Sequence, residues 1–390
     1  MKVALLTREF PPEVYGGAGV HVEHLAAELA ELVDVGVHCF GRPRPSGLVA
    51  GNYEMAPGAD PALGAIAVDL QMAAAVAGAD VVHTHTWYTN MAGHLAKLRH
   101  GIPHVMTSHS LEPLRPWKQE QLGGGYEVSR FCERTAIEAA DAVIAVSGAM
   151  RDDVLATYPA VGPDRVVVVH NGVDADAYHP DPSTEALDRV GLAPERPYAL
   201  FVGRITRQKG IGHLLDAVPL LDPGMVVVLC ASAPDTEAEG AELEARLADL
   251  ASRSGPGAQV VWVRDALPRP QVVQLLTHAA AFVCPSVYEP FGLVNVEAMA
   301  CEAPVVATAV GGIPEIVVDG ETGWLVPYDA GDPQAVAAGL AARVNELVAG
   351  PDQARRFGQA GRRRVLAEFA WPAIARRTVE VYETAISSSH

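Results

Sequence analysis

Residues 198–210 read YALFVGRITRQKG: a seven-residue apolar run ending on Arg204, then a turn that adds Arg207 and Lys209 and closes on a glycine. The run is too short for an ordinary helix, and its aromatic and β-branched residues suit a pleated strand. It begins a series. MVVVLCAS (225–232), QVVWV (259–263), AAFVCPS (280–286) and APVVATA (303–309) follow at helix-length intervals. An earlier series precedes it: KVALLT (2–7), DVGVHCF (34–40), DVVHTH (80–85), HVMTSH (104–109), AVIAVS (142–147) and RVVVVHNG (165–172). Strands apolar on both faces that alternate with helices build parallel sheets covered on both sides. Two such series, divided by the Pro- and Asp-rich stretch 171–197, predict an α/β chain of two Rossmann-like, doubly wound domains. The expected domains are 1–173 and 174–370, and the segment 371–390, with Ile374, Val381 and Tyr382 at helical spacing, forms a closing helix.

Composition agrees with this division and excludes several classes. A chain of 390 residues exceeds what one core usually serves. With 49% apolar and 19% charged residues and no apolar run of membrane-spanning length, a membrane protein is not expected. The opening MKVALLTREF meets Arg8 and Glu9 too early for a signal peptide and reads as a first strand. A net charge of −18 disfavours nucleic acid as a partner. Five scattered cysteines, none spaced C-x-x-C, give neither a disulfide framework nor a zinc motif, so a cytoplasmic location is expected.

In open α/β sheets ligands bind beyond the carboxyl ends of the strands, and two such sheets facing a central cleft would share one site. The loop after the first strand carries Gly16, Gly17 and Gly19 before an amphipathic helix, where backbone amides can approach an anion. It is not a dinucleotide fingerprint, because the third glycine would fall on Val22. Arg204 and Lys209 form a basic focus in an acidic chain and could grip a diphosphate. In SVYEPFGLVNVEAMA (286–300), a helix is expected from Pro290 or Phe291, with its amides open at Gly292 and with Glu289 and Glu297 nearby. Carboxylates accept paired hydrogen bonds from vicinal hydroxyls, which suits sugars on either side of a diphosphate. His83, His85 and His109 sit at strand ends, where a metal triad is conceivable, but strand ends alone do not converge three imidazoles. The DAD sequence at 174–176 reads as turn chemistry. Each feature taken singly also has an ordinary reading, as a solvated turn, a helix acid or a core histidine.

In combination and order, R-x(4)-K at Arg204 and Lys209, E-x(7)-E at Glu289 and Glu297 and the GGIPE turn at 311–315 resemble the retaining nucleotide-sugar glycosyltransferases of family 4 with the GT-B fold. LTREFPPEVYGGAGVHVEHL, VHTHTWYTNMAGHLAK and VMTSHSLEPLRPWK are similar to its bacterial branch of ADP-glucose-dependent glycogen synthases and α-maltose-1-phosphate synthases. The resemblance implies that Gly16 and Gly17 approach the donor diphosphate and sugar, His109 contacts the donor glucose, and Arg204 and Lys209 bind the diphosphate. It gives the glucose hydroxyls to Glu289, backbone amides to Phe291, Gly292 and Leu293, and the ribose to Glu297. It further implies an acceptor-side first domain, a donor-side second domain and a final helix that crosses back to the first. Tyr15 stands before the glycines where another glycogen synthase family has a lysine, so no lysine role transfers.

The implied reaction moves glucose from ADP-glucose, with retention and front-face attack, to the 4-hydroxyl of glucose 1-phosphate or to the nonreducing end of glycogen. No metal or other cofactor is expected. A phosphate-bearing acceptor needs a cation in the first domain, for which Arg8, Arg115 and Lys118 are the candidates. Partners are the donor and the acceptor, and a homodimer is compatible with this. Two rivals stay open: a nucleotide-sugar 2-epimerase of the same fold and a noncatalytic glycan-binding protein.

Overall fold

The computed structural model describes residues 1–14, 16–232, 234–252 and 258–388, so Tyr15 lies outside the described residues. The first sheet is built from β1 (Lys2–Thr7), β2 (Asp34–Phe40), β3 (Val49–Tyr53), β4 (Val81–His85), β5 (His104–Ser108), β6 (Ala142–Ala145) and β7 (Val166–Val168), in the order β3-β2-β1-β4-β5-β6-β7. The second contains β8 (Tyr198–Arg204), β9 (Val226–Ser232), β10 (Gln259–Val263), β11 (Ala281–Cys284), β12 (Val305–Thr308) and β13 (Gly323–Val326), in the order β10-β9-β8-β11-β12-β13. Every pairing is parallel. The chain forms two compact units, Met1–Gly172 with Trp371–His390, and Val173–Ala370.

In the first unit, side-chain alternation along β1 divides the core. Val3 and Leu5 pack with Val22, Leu25 and Leu29 of the helix Gly17–Ala30 and with Trp371, Ile374, Val381 and Tyr382 of the closing helix Trp371–Ser388. Ala4 and Leu6 face the opposite layer, with Val68, Met72, Trp87 and Ala92. The closing helix thus belongs to the first unit because its apolar stripe completes that unit's core, each large side chain so buried contributing roughly 2 kcal/mol. In the second unit the corresponding core gathers Phe201, Leu214, Leu229, Val283 and Leu340.

Several local expectations are corrected. β3 and β13 are edge strands with no strong strand signal in VAGNY and GWLV. β6 stops at Ala145 because Ser147 caps the next helix, its Oγ accepting from Met150 N at 2.9 Å. The helix expected from Pro290 or Phe291 spans Leu293–Ala300 instead. Gly292, at φ 111°, has a backbone that no helical residue adopts, so the helix cannot extend back through it. The acidic stretch at 174–176 is a turn, with Asp174 Oδ1 accepting from Asp176 N and Ala177 N at 3.0 Å each. Among the described residues no helix is long and apolar enough to cross a membrane.

Candidate active site

Each sheet reverses direction of growth once, between β1 and β4 and between β8 and β11. Such switch points leave a crevice at the carboxyl ends of the strands, where connecting loops diverge.

In the second unit that crevice is lined by the loops after β8 and β11. Lys209 Nζ donates to Glu289 Oε2 at 2.7 Å, and Ser286 Oγ donates to the same oxygen at 3.1 Å. Burial alone would lower the Lys209 ammonium, but the Glu289 carboxylate outweighs it and holds the group above its usual range. Arg204 pairs with Asp235 from the loop after β9 at 2.6 Å and acts electrostatically on Lys209. Glu289 is 6% exposed, far from a surface loop acid. Two glycine-dependent turns support it. A Cβ at Gly210 would lie 2.0 Å from Pro285 O, and one at Gly311 would lie 2.0 Å from Glu289 O, both residues having positive φ. Gly312 N donates to Glu289 O at 2.9 Å, so the GGIPE turn is the backing of the acid.

Glu297, half-buried in the Leu293–Ala300 helix, is held above its usual range by burial, opposed by a hydrogen bond from Tyr178 and by the charges of Arg269 and Lys209. Tyr178 was missed by sequence reasoning because it lies in the stretch read as linker. Phe291 is buried with its ring edge-on to Phe369, and Gly292 and Leu293 open the helix. The structure therefore brings together Lys209 and Glu289 in contact, with Arg204 and Glu297 within electrostatic reach of Lys209. A cavity of about 300 Å³ beside the same turn, lined by Arg207, Gly210, His213, Glu239 and Arg246 among others, does not include Lys209, Glu289 or Glu297.

In the first unit the glycines after β1 divide by role. Gly16 N donates to Glu9 Oε2 at 2.8 Å, Gly16 is extended at φ −143°, and a Cβ there would meet nothing within 4 Å. Gly17 begins the helix. Gly19 is needed for packing, since its Cβ would lie 2.7 Å from Glu9 Oε2 and 2.9 Å from Val14.

The imidazoles regroup relative to expectation. His83 is tied into the core, Nδ1 against Tyr382 Oη at 2.6 Å and Nε2 against Thr107 Oγ1 at 2.7 Å. His85 Nδ1 meets His109 Nε2 at 3.0 Å, and the third ring beside them is His21 from the Gly17–Ala30 helix. The signal for His21 was present: it falls in the helix's buried stripe with Val22, Leu25 and Leu29. Burial, and then the neighbouring imidazoles, hold His85 and His109 well below the usual histidine range. His21 is pushed down to about 4, chiefly by burial, with the Asn171 side chain opposing. In all three rings burial favours the neutral form.

The three candidate acceptor cations are fixed separately. Arg8 is exposed with its guanidinium 4.0 Å over the Tyr88 ring. Lys118 begins the short helix Lys118–Leu122. Arg115, on the segment after β5 that also carries His109, donates to Ser110 Oγ at 2.7 Å and lies 3.8 Å from Glu112 Oε1. Behind it, Glu112 N donates to both oxygens of Glu133 at 3.0 and 3.1 Å, and Tyr158 Oη donates to Glu133 Oε1 at 2.6 Å. Burial, and then the Glu112 charge, push Glu133 up to about 8.

That shift sets a sign for stability. Between the usual carboxylate range and about 8, the folded chain keeps a proton on Glu133 that the unfolded chain releases, so stability falls as pH rises through this window. Glu133→Gln removes the titration. Urea unfolding at pH 5 and pH 8 is expected to show wild type losing up to a few kcal/mol more than the variant. An equal loss in both would place the buried proton elsewhere.

Both all-parallel units thus carry polar and charged side chains at their switch points. The family of glycosyl transferases group 1 matches residues 183–364, and glycosyltransferase family 4 matches residues 15–177. The chain is 56% identical over 386 residues to the alpha-maltose-1-phosphate synthase of Mycolicibacterium smegmatis, covering 98% of this chain and 99% of that one. It is 52% identical, with the same coverage, to the alpha-maltose-1-phosphate synthase of Mycobacterium tuberculosis. Among solved structures, sucrose-phosphate synthase from Thermosynechococcus elongatus superposes with a TM-score of 0.82 at 26% identity, covering 99% of both chains. The chain belongs to the alpha-maltose-1-phosphate synthase family of glycosyltransferases.

Proposed function

We infer that this protein transfers glucose from ADP-glucose to the 4-hydroxyl of glucose 1-phosphate, with retention, forming α-maltose 1-phosphate. The observation that carries this reading is the 56% identity along nearly the whole of both chains to an enzyme named for that product. The arrangement of this chain's side chains supports it. Lys209 has three ammonium protons and gives one to Glu289, leaving donors for a diphosphate. Both side-chain bonds to Glu289 fall on Oε2, which leaves Oε1 to accept from sugar hydroxyls. In this reading Glu297 accepts from the ribose, and its hydrogen bond with Tyr178 orients it.

In the transfer, the bond from the anomeric carbon to the β-phosphate oxygen breaks as the acceptor O4 attacks from the same face. The O4 proton passes to the departing phosphate oxygen, and ADP leaves. Arg204, Lys209 and the amides at Gly292 and Leu293 stabilise the negative charge that gathers on ADP, and His109 donates to a donor hydroxyl. Under this assignment the cationic side chains carry the charge, and no metal is required. Arg115 is the best placed of the three acceptor cations, since it shares the segment after β5 with His109 and is braced from behind by Glu112.

The test is to offer ADP-, UDP- and GDP-glucose with either glucose 1-phosphate or glycogen and to identify products by mass and NMR. The expected result is a hexose disaccharide bearing an α-anomeric phosphate, formed from ADP-glucose. Elongation of glycogen with no disaccharide phosphate would replace the acceptor in this reading. ADP release independent of any acceptor, or none at all, would remove it.

A further inference from the structure

We propose that His21, His85 and His109 form a binding site in the first unit for a divalent transition-metal ion with the coordination preferences of zinc. Each ring comes from a different element: the Gly17–Ala30 helix, the end of β4 and the segment after β5. Ring nitrogens from all three lie within 4.8 Å of one another. The ring centres are 4.8, 5.3 and 5.4 Å apart. Three imidazoles bound tetrahedrally at a zinc–nitrogen distance of about 2.0–2.1 Å hold their nitrogens roughly 3.4 Å apart and their ring centres roughly 5 Å apart. The rings therefore already stand at the spacing of such a site. His85 Nδ1 and His109 Nε2, at 3.0 Å, are already closer than the bound nitrogens would be. What remains is for His21 to turn a nitrogen onto the pair.

A second observation points to a ligand. His21 is 3% exposed, and neither of its ring nitrogens makes a hydrogen bond, the Asn171 side chain lying beside the ring but outside hydrogen-bond geometry. His85 is fully buried, and its Nδ1 has only His109 Nε2 as a partner. An unpaired nitrogen in the interior costs free energy that a partner would recover. A hydrogen bond between His85 and His109 accounts for one nitrogen on each of those rings and for nothing on His21. A metal ion at the point the rings surround takes one nitrogen from each ring, His85 Nδ1, His109 Nε2 and a nitrogen of His21, and so gives the His21 ring the partner it lacks. Three nitrogen donors without a carboxylate disfavour magnesium and calcium, which take oxygen ligands. His109 is half-buried, and a water would complete the tetrahedron.

The site has a consequence that rests on the proposed function, whereas the ion binding does not. With the His109 ring held on an ion, its contact with the donor sugar is lost, so zinc inhibits transfer. The experiment uses metal-free, tag-free full-length protein titrated with cobalt(II). The expected result is one equivalent bound with the intense visible absorption of tetrahedral cobalt, displaced by zinc and not by magnesium. In His21→Gln and in His85→Gln, each checked for native circular dichroism, affinity falls by at least about 100-fold, more than loss of an outer partner usually costs. Zinc then inhibits wild type but not His21→Gln, which keeps basal transfer. Absence of the tetrahedral band, or equal cobalt affinity in both variants and wild type, would overturn the site. Tight cobalt binding without inhibition would support the site and overturn the role given to His109.

Discussion

Replacing Lys209 by alanine is expected to lower kcat for glucosyl transfer by about 10²–10³-fold, the usual effect of removing one donor aimed at developing charge. The magnitude follows from where the ammonium sits. It is held on a short turn whose Thr206 side chain caps Lys209 N, and its tip is fixed at 2.7 Å by a buried carboxylate, so little reorganisation is left to be done when the leaving group forms. The substitution also leaves Glu289 buried without its cation, which destabilises the unit. The measurement is acceptor-dependent ADP release at saturating donor, on protein whose circular dichroism matches wild type. Turnover within about threefold of wild type, well short of the loss expected for such a donor, would take Lys209 out of the chemistry.

The second large effect is on folding and comes from a glycine. Gly311→Ala is expected to cost on the order of 3–5 kcal/mol, because the new Cβ needs positive φ and collides with backbone rather than with a yielding side chain. The atom it meets is Glu289 O at 2.0 Å, with φ 53° at Gly311. Gly16→Ala provides the contrast: its φ of −143° is open to any residue and its Cβ has free space, so stability is expected to stay within about 0.5 kcal/mol of wild type. If Gly16 approaches the donor, that same variant loses transfer while keeping its unfolding midpoint. Urea unfolding of the two variants side by side gives the comparison, and equal stability in both would contradict the packing described around Glu289.

What was legible in the sequence was what depends on local pattern. Continuous apolar runs such as VVHTH and HVMTS are buried at every position, and runs of that kind read as strands of a parallel sheet without further information. β3 and β13 escaped because an edge strand is chosen by the neighbour it pairs with. VAGNY has no fully buried residue, and GWLV borrows its register from β12. The loops that carry Lys209 and Glu289 were legible as strand-following turns with unusual charge, but their contact, across 80 residues of sequence, was not. Asp235 beside Arg204 and Tyr178 beside Glu297 belong to the same class of information: a partner delivered by the fold from a segment that looks like loop or linker. The histidines show the limit from the other side. Alternation along β4 puts His83 and His85 two residues apart, hence on one face, yet the fold gives His83 to Tyr382 and Thr107 and puts His21 beside His85 and His109.

The claim on which the rest depends is that Arg204, Lys209, Glu289 and Glu297 hold a nucleoside diphosphate sugar. Calorimetric titration of ADP into wild type, Lys209→Ala and Glu297→Ala tests it without any assumption about the acceptor. A single site that weakens at least about tenfold in each variant is predicted, a loss of roughly 1.4 kcal/mol or more for each charged contact removed. Unchanged ADP affinity in both variants would contradict it.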